Sequence, residues 1–249
     1  MSPLTQGPEG TTVRAVSFDF GQTLAELDTA MLAARCAERG VSVEVHALDR
    51  AVMPAWRAYN TAVRAGHGGH PWKLLMRTLL DGAGVDASAR ASLVDWLWEE
   101  QPRRNLWRRP IPGMIELVRA LRAQGVPVGV LSNSEGRLAE LAEELGWRDD
   151  FVVIADSGRL GIEKPDPRIF AWTAERLGVP LPDVAHVGDA WSADFLGARA
   201  AGMRAVLFRG DAAMPEGAAF PSDDPRCARC DDAVSLRRIL SAWGVGREA

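Results

Sequence analysis

The sequence predicts an α/β fold, a doubly wound parallel sheet with a helical subdomain inserted into it. Three observations lead there. A buried-strand pattern stands near the start of the chain, residues 27–107 then read as helical throughout, and from residue 113 to residue 208 helix and strand patterns alternate.

Residues 13–20, VRAVSFDF, are rich in β-branched and aromatic side chains, which marks a buried strand; the run contains Asp19 and opens at Gly21 into a loop. Residues 30–39, 44–64, 71–80 and 87–100 carry apolar side chains at three- and four-residue spacing, the repeat of one helix face. Five of the nine tryptophans, Trp56, Trp72, Trp96, Trp98 and Trp107, fall in this stretch, enough aromatic surface for a subdomain with its own core. Past Pro110, helix patterns at 113–124, 136–145, 167–177, 191–200 and 233–243 separate strand patterns at 126–131, 151–154, 184–187 and 204–208. Such alternation makes a parallel sheet covered by helices on both faces. Residues 210–226, rich in Pro, Gly, Ala and Asp, read as a surface loop. Because one strand precedes the helical stretch and the others follow it, the expected organisation is a Rossmann-like core formed by 1–26 and 109–249 and an α-helical cap formed by 27–108.

Composition narrows the function classes. The 249 residues are 47% hydrophobic and 25% charged, a globular balance. A formal net charge of −4 gives no basis for a nucleic-acid or anionic-membrane partner. Without a signal-peptide pattern at 1–12 or a run of the ~18 apolar residues that span a bilayer, the expected location is the cytoplasm. Cys36, Cys227 and Cys230 are too few for a disulfide scaffold, and the CxxC of Cys227 and Cys230 has no second pair or nearby histidine to complete a zinc set. Lys73 and Lys164 are the only lysines among 29 basic residues, so a lysine at a chemically suggestive place carries weight.

In a doubly wound sheet, ligands bind beyond the carboxyl ends of the strands. The residues there are Asp19, Ser132 with Asn133, Lys164, and Asp189 with Asp194. Singly they have plain structural readings as turn, cap and loop residues. Together they supply one reaction: a carboxylate that can attack phosphorus, donors that can hold phosphoryl oxygens, and further carboxylates that can hold Mg²⁺.

Four segments occur in a fixed order, each after a predicted strand: SFDFGQTL with Asp19, VLSNS with Ser132, GIEKPDPRIF with Lys164, and HVGDAWSADFLGARAAGM with Asp189 and Asp194. In these the chain resembles the haloacid dehalogenase-like hydrolase superfamily, over nearly its whole length outside the helical insert. The resemblance implies a Mg²⁺-dependent phosphatase of a small phosphorylated metabolite, with Asp19 forming an aspartyl-phosphate. It implies Mg²⁺ held by the Asp19 side chain, the Gly21 main-chain carbonyl and Asp189, with Asp194 ligating the ion or orienting its waters. Ser132, Asn133, Phe20, Gly21 and Lys164 would bind the phosphoryl group, Lys164 neutralising charge as it develops. The helical insert would be a cap that excludes water and selects the substrate.

One departure matters. Phosphatases of the family usually carry a second aspartate two residues after the nucleophile, as general acid and base, and here that position is Gly21. Acid–base assistance is worth roughly 10²–10⁴-fold, so the sequence predicts weak activity on alkyl phosphates, a bias towards good leaving groups, and higher turnover in Gly21→Asp. The same departure keeps three alternatives open: a 2-haloacid dehalogenase, for which no metal is needed; a phosphonoacetaldehyde-hydrolase-like enzyme using Lys73, the only cap lysine; and a weakly active or non-catalytic binding module. The Asp19-Phe20-Gly21 tripeptide is not expected to be a kinase site, since residues 1–18 hold no Gly-rich loop and no catalytic HRD. The aromatic residues of the insert, with His46, His67 and His70, are candidate pocket residues, Arg103, Arg104, Arg108 and Arg109 candidates for a second anionic group, and His186 a strand-end packing residue.

Overall fold

The computed structural model describes residues 12–65, 72–210 and 214–246. Strand β1 (Ala15–Phe18) is buried along its whole length and is followed by the short β2 (Ala25–Leu27). Four helices come next, α1 (Thr29–Glu38), α2 (Val45–Arg64), α3 (Trp72–Gly82) and α4 (Ala87–Glu100), before the chain returns through β3 (Trp107–Pro110). There follow α5 (Met114–Ala123), β4 (Val128–Ser132), α6 (Leu138–Glu144), β5 (Val153–Asp156), α7 (Ser157–Leu160) and α8 (Pro167–Leu177). The chain ends with β6 (Val184–Gly188), α9 (Gly197–Ala201), β7 (Arg204–Phe208), β8 (Cys227–Cys230) and α10 (Ala233–Ala242).

Six strands form one all-parallel sheet in the order β5-β4-β1-β6-β7-β8. Counted along the sheet strands alone this is 3-2-1-4-5-6, the Rossmann-like doubly wound order, whose winding reverses between β1 and β6. Phe18 pairs with Val187 across that junction, so Asp19 and Asp189 emerge side by side at the crevice. Strand alternation divides the core: Val16 and Phe18 pack into one hydrophobic layer, Ala15 into the other. Capping fixes several helix starts. The Asp166 carboxylate accepts from Arg168 N with Pro167 in the first turn of α8, and Asp28 accepts from Met31 N at 2.9 Å to start α1.

In the inserted helices, α3 buries Trp72, Leu75, Met76, Leu79 and Leu80, the one-face spacing read from sequence, and Trp72 lies 5.4 Å from Trp98 of α4. Each such side chain contributes about 1.5–3 kcal/mol when fully buried. The insert is tied at its base by an antiparallel ribbon, β2 with β3, that pairs Leu27 with Trp107 and Glu26 with Arg109.

The segment after residue 210 contains β8, which the sequence reading left without a strand. Residues three apart on a strand point to opposite faces, and Cys230 joins one hydrophobic layer while Cys227 packs against the other. Burial pushes the two thiols up to about 11 and about 12. No helix among the described residues is long and apolar enough to cross a membrane.

Candidate active site

β1 delivers Asp19 to the mouth of the crevice at 7% exposure. Its Oδ1 accepts from Ser132 Oγ at 2.9 Å and from Lys164 Nζ at 2.7 Å. Oδ2 accepts no hydrogen bond among the described residues, and Asp19 lines the cavity. Burial raises the Asp19 pKa, with Lys164 pulling the other way. Lys164 Nζ also donates to Asp194 Oδ1 at 2.5 Å and to the Leu131 carbonyl at 2.8 Å. Burial alone would push Lys164 down, but Asp19 and Asp194 more than offset it and hold the ammonium above its usual range.

Asp194 comes from a π-helical turn at Trp191–Leu196, where the sequence predicted one unbroken helix at 191–200; Phe195 N reaches back to Ala190 O at 3.1 Å. Asp194 Oδ1 also meets His186 Nε2 at 3.1 Å, and Oδ2 accepts from Ala190 N at 2.9 Å. Burial works against its charge, but Lys164 and His186 hold the carboxyl below the usual range. Burial, then the Asp19 and Asp194 charges, raise Asp189 well above that range. One oxygen each of Asp19, Asp189 and Asp194 lies within 4.8 Å of the others.

Asn133, expected to face the phosphoryl group with Ser132, has its side chain engaged elsewhere: Nδ2 donates to Lys164 O at 3.0 Å and Oδ1 accepts from Lys164 N at 2.8 Å. Its side chain therefore positions Lys164, with the second Nδ2 hydrogen uncommitted by these bonds. The main-chain N–H groups of Phe20 and Gly21 donate no hydrogen bond among the described residues. The bridge at Gly21 is made by its neighbours, Ala25 N to Phe20 O at 3.0 Å and Gln22 N to Ala25 O at 2.8 Å, and does not use the Gly21 carbonyl.

Four further residues enter the site that sequence reasoning missed or read otherwise. His186 is more than packing: Nδ1 meets Ser17 Oγ at 2.8 Å while Nε2 holds Asp194. Asp156, at the end of β5, accepts from Ser134 Oγ at 2.7 Å and from the N–H groups of Gly136, Leu138 and Gly158, which fixes the loop carrying Ser132 and Asn133. A carboxylate closing a buried strand is the signal that singled out Asp19, and it applies equally to Asp156. Trp107, one of the insert's aromatic residues expected as pocket candidates, lines the cavity with Trp56 and Tyr59 and in addition covers Gly21, and Glu135 lines the cavity wall, a position that only tertiary packing reveals.

The other candidates stand elsewhere. Lys73 pairs with Asp95 at 2.7 Å on the exposed surface. Arg104, Arg108 and Arg109 pair with Glu38, Glu144 and Glu26, and neither they nor Arg103 and His46 line the cavity. His67 and His70 lie outside the described residues.

An aspartate, a lysine and an acidic cluster thus gather at the switch point of a doubly wound sheet, where folds of this class bind their ligands. The pattern of the haloacid dehalogenase-like hydrolases matches residues 13–202, and the chain belongs to that family. It is 32% identical over 208 residues to haloacid dehalogenase-like hydrolase domain-containing protein 3 of Bos taurus, covering 80% of this chain and 82% of that protein. To a phosphoglycolate phosphatase of Xanthomonas campestris it is 30% identical over 198 residues, 78% of this chain and 81% of the relative. Its fold is similar to that of the HAD-hydrolase YfnB from Bacillus subtilis, solved bound to magnesium, with a TM-score of 0.67, 18% identity, and coverage of 92% of this chain and 99% of that one.

Proposed function

We propose that this hydrolase is a Mg²⁺-dependent phosphatase of a small phosphomonoester, acting through an aspartyl-phosphate on Asp19. The observation that carries the reading is the asymmetry of Asp19 in the cavity wall: Ser132 and Lys164 hold Oδ1, and Oδ2 accepts no hydrogen bond among the described residues. A carboxylate fixed by one oxygen presents the other in line for attack without reorganising.

The donor set suits a divalent cation. Three carboxylates face one ammonium in a buried site, an excess of negative charge that such an ion offsets, and hard carboxylate and carbonyl oxygens are the ligands Mg²⁺ takes. The Asp19 side chain, Asp189 and the Gly21 carbonyl would hold it. Asp194, with each oxygen already accepting from a protein donor, would orient bound water. When bound, the ion would neutralise the phosphoryl group and stabilise charge in the transition state.

Asp19 attacks phosphorus, the bond to the leaving oxygen breaks, and that oxygen takes its proton from solvent because residue 21 offers none. Ser132 Oγ, Lys164 Nζ and the Phe20 and Gly21 N–H groups hold the phosphoryl oxygens. Water then attacks the same phosphorus, releasing inorganic phosphate and returning the Asp19 carboxylate. The helical insert, residues 27–108, acts as the cap that screens this crevice.

Phosphate release from p-nitrophenyl phosphate and acetyl phosphate, in Mg²⁺ and in EDTA, tests the reading in the wild type and Asp19→Asn. Metal-dependent turnover lost in the variant is the expected result. No turnover of either compound would overturn it and turn attention to carbon–halogen substrates such as 2-chloropropionate.

A further inference from the structure

The cavity over Asp19, about 130 Å³, is walled on the insert side by Trp56, Tyr59, Asn60, Gln101, Asn105 and Trp107. Its rings pack edge to face, Trp56 with Tyr59 at 5.0 Å and 75° and Trp56 with Trp107 at 6.3 Å and 72°. One nitrogen donor in this wall, Trp56 Nε1, is buried and completes no hydrogen bond among the described residues. The Gln101 side chain is engaged at both ends, its Oε1 accepting from Leu106 N at 3.3 Å and its amide bonding the Glu135 carboxylate. A buried donor is costly to leave unmade and rare in native structures, so Trp56 Nε1 marks where a ligand oxygen completes the wall.

Across the cavity, Glu135 places a carboxylate beside the Gln101 side chain. Burial raises its pKa. Among the described lining residues Lys164 is the only cation, and its ammonium is already held by Asp19, Asp194 and the Leu131 carbonyl.

We propose that the cavity selects phosphomonoesters whose organic part is small, uncharged and hydroxylated. One of its oxygens accepts from Trp56 Nε1, a hydroxyl donates to the Glu135 carboxylate that Gln101 holds in place, and the ring faces cover its C–H groups. A second carboxylate on the substrate would instead meet Glu135 with no free cation among the described lining residues to pair it, an uncompensated buried charge. This inference rests on the phosphatase reading and names its substrate class.

Comparison of kcat/KM for glycerol 3-phosphate and 2-phosphoglycolate tests it, with acetyl phosphate as the reference for chemistry that asks little of the organic part. The expected preference for glycerol 3-phosphate is about tenfold or more, narrowing in Glu135→Gln. Trp56→Phe, which keeps a ring but removes the N–H, should lower the ratio of glycerol 3-phosphate to acetyl phosphate turnover by about tenfold. Equal or better turnover of 2-phosphoglycolate by the wild type overturns the proposal, as do ratios that neither variant moves. Loss of all three activities is instead a failure of the phosphatase reading. Tryptophan-fluorescence titration with the two esters then decides the cavity's preference alone: tighter binding of glycerol 3-phosphate supports it, and equal or weaker binding overturns it.

Discussion

The indole of Trp107 lies over Gly21, so that a β-carbon at residue 21 would stand 3.3 Å from Cδ1 and 3.4 Å from Nε1. The ring is held there by the pairing of Trp107 with Leu27 and by Trp56 at its edge. A side chain on residue 21 therefore presses on the indole, which must give by a few tenths of an ångström to admit even a β-carbon.

Sequence alone predicts that Gly21→Asp raises turnover; with Trp107 in place, the expected result is no gain, because the new side chain meets the ring. Gly21→Asp combined with Trp107→Ala should raise kcat on glycerol 3-phosphate by about 10²-fold, the lower end of acid–base assistance. The gain on p-nitrophenyl phosphate, whose leaving group needs no proton, should be much smaller. Steady-state rates of both single variants and the double variant decide it, and a single Gly21→Asp as active as the double would show that Trp107 is no obstacle.

How much of this was legible varies with how local each signal is. The helix at Pro167–Leu177 could be read to the residue, since Asp166 and Pro167 mark its start and Gly178, at φ 75°, its end. Asp19, Lys164, Asp189 and Asp194 were legible because each follows a strand pattern in the chain itself. The β2–β3 ribbon was not, being three and four residues long and defined by pairing between Glu26 and Arg109. Gln101 and Glu135 carry no local mark of function. His186 read as packing because Ser17, its partner, lies 169 residues away.

Asp189 should show the tension between stability and metal binding. Burial and the neighbouring Asp19 and Asp194 charges raise its pKa, so near neutral pH its ionised form strains the metal-free protein. In EDTA, Asp189→Asn should melt higher than the wild type, by about 2–4 °C for each kcal/mol relieved. Mg²⁺ should raise the melting temperature of the wild type and leave that of the variant nearly unmoved. A variant that melts lower in EDTA, or an equal Mg²⁺ shift in both proteins, would count against the acidic cluster as a metal site.

His186 should act as a positioning residue. Burial lowers its pKa, so the ring is neutral, and because the Asp194 carboxylate only accepts, Nε2 carries the proton and Nδ1 accepts from Ser17 Oγ. His186→Phe leaves Ser17 Oγ without its acceptor and takes one of three donors from Asp194, and should cost about 1–3 kcal/mol by urea denaturation. His186→Gln, which retains a donor, should cost less and keep more of kcat, with KM unchanged in both. Equal losses in the two variants would mean that the ring serves only as filling.

Gly188 closes β6 where the chain must pass close to Asp194, and a β-carbon there would fall 2.3 Å from Asp194 Cγ and 2.5 Å from Oδ2. No rotation of a methyl relieves such an approach, and the Asp194 carboxylate is held on three sides by Lys164, His186 and Ala190 N. Gly188→Ala must therefore either bend the end of β6 or expel Asp194 from those bonds. Expelling it strands the Lys164 ammonium with one partner fewer in a buried site, a change of the kind that costs about 3–5 kcal/mol. The variant should lose most of its activity together with that stability, and the two losses should travel together because one displacement causes both. Measured melting temperature and kcat would separate the cases: a variant as stable and as active as the wild type would show that β6 yields freely at this point and that the Gly188 contact does not set the place of Asp194.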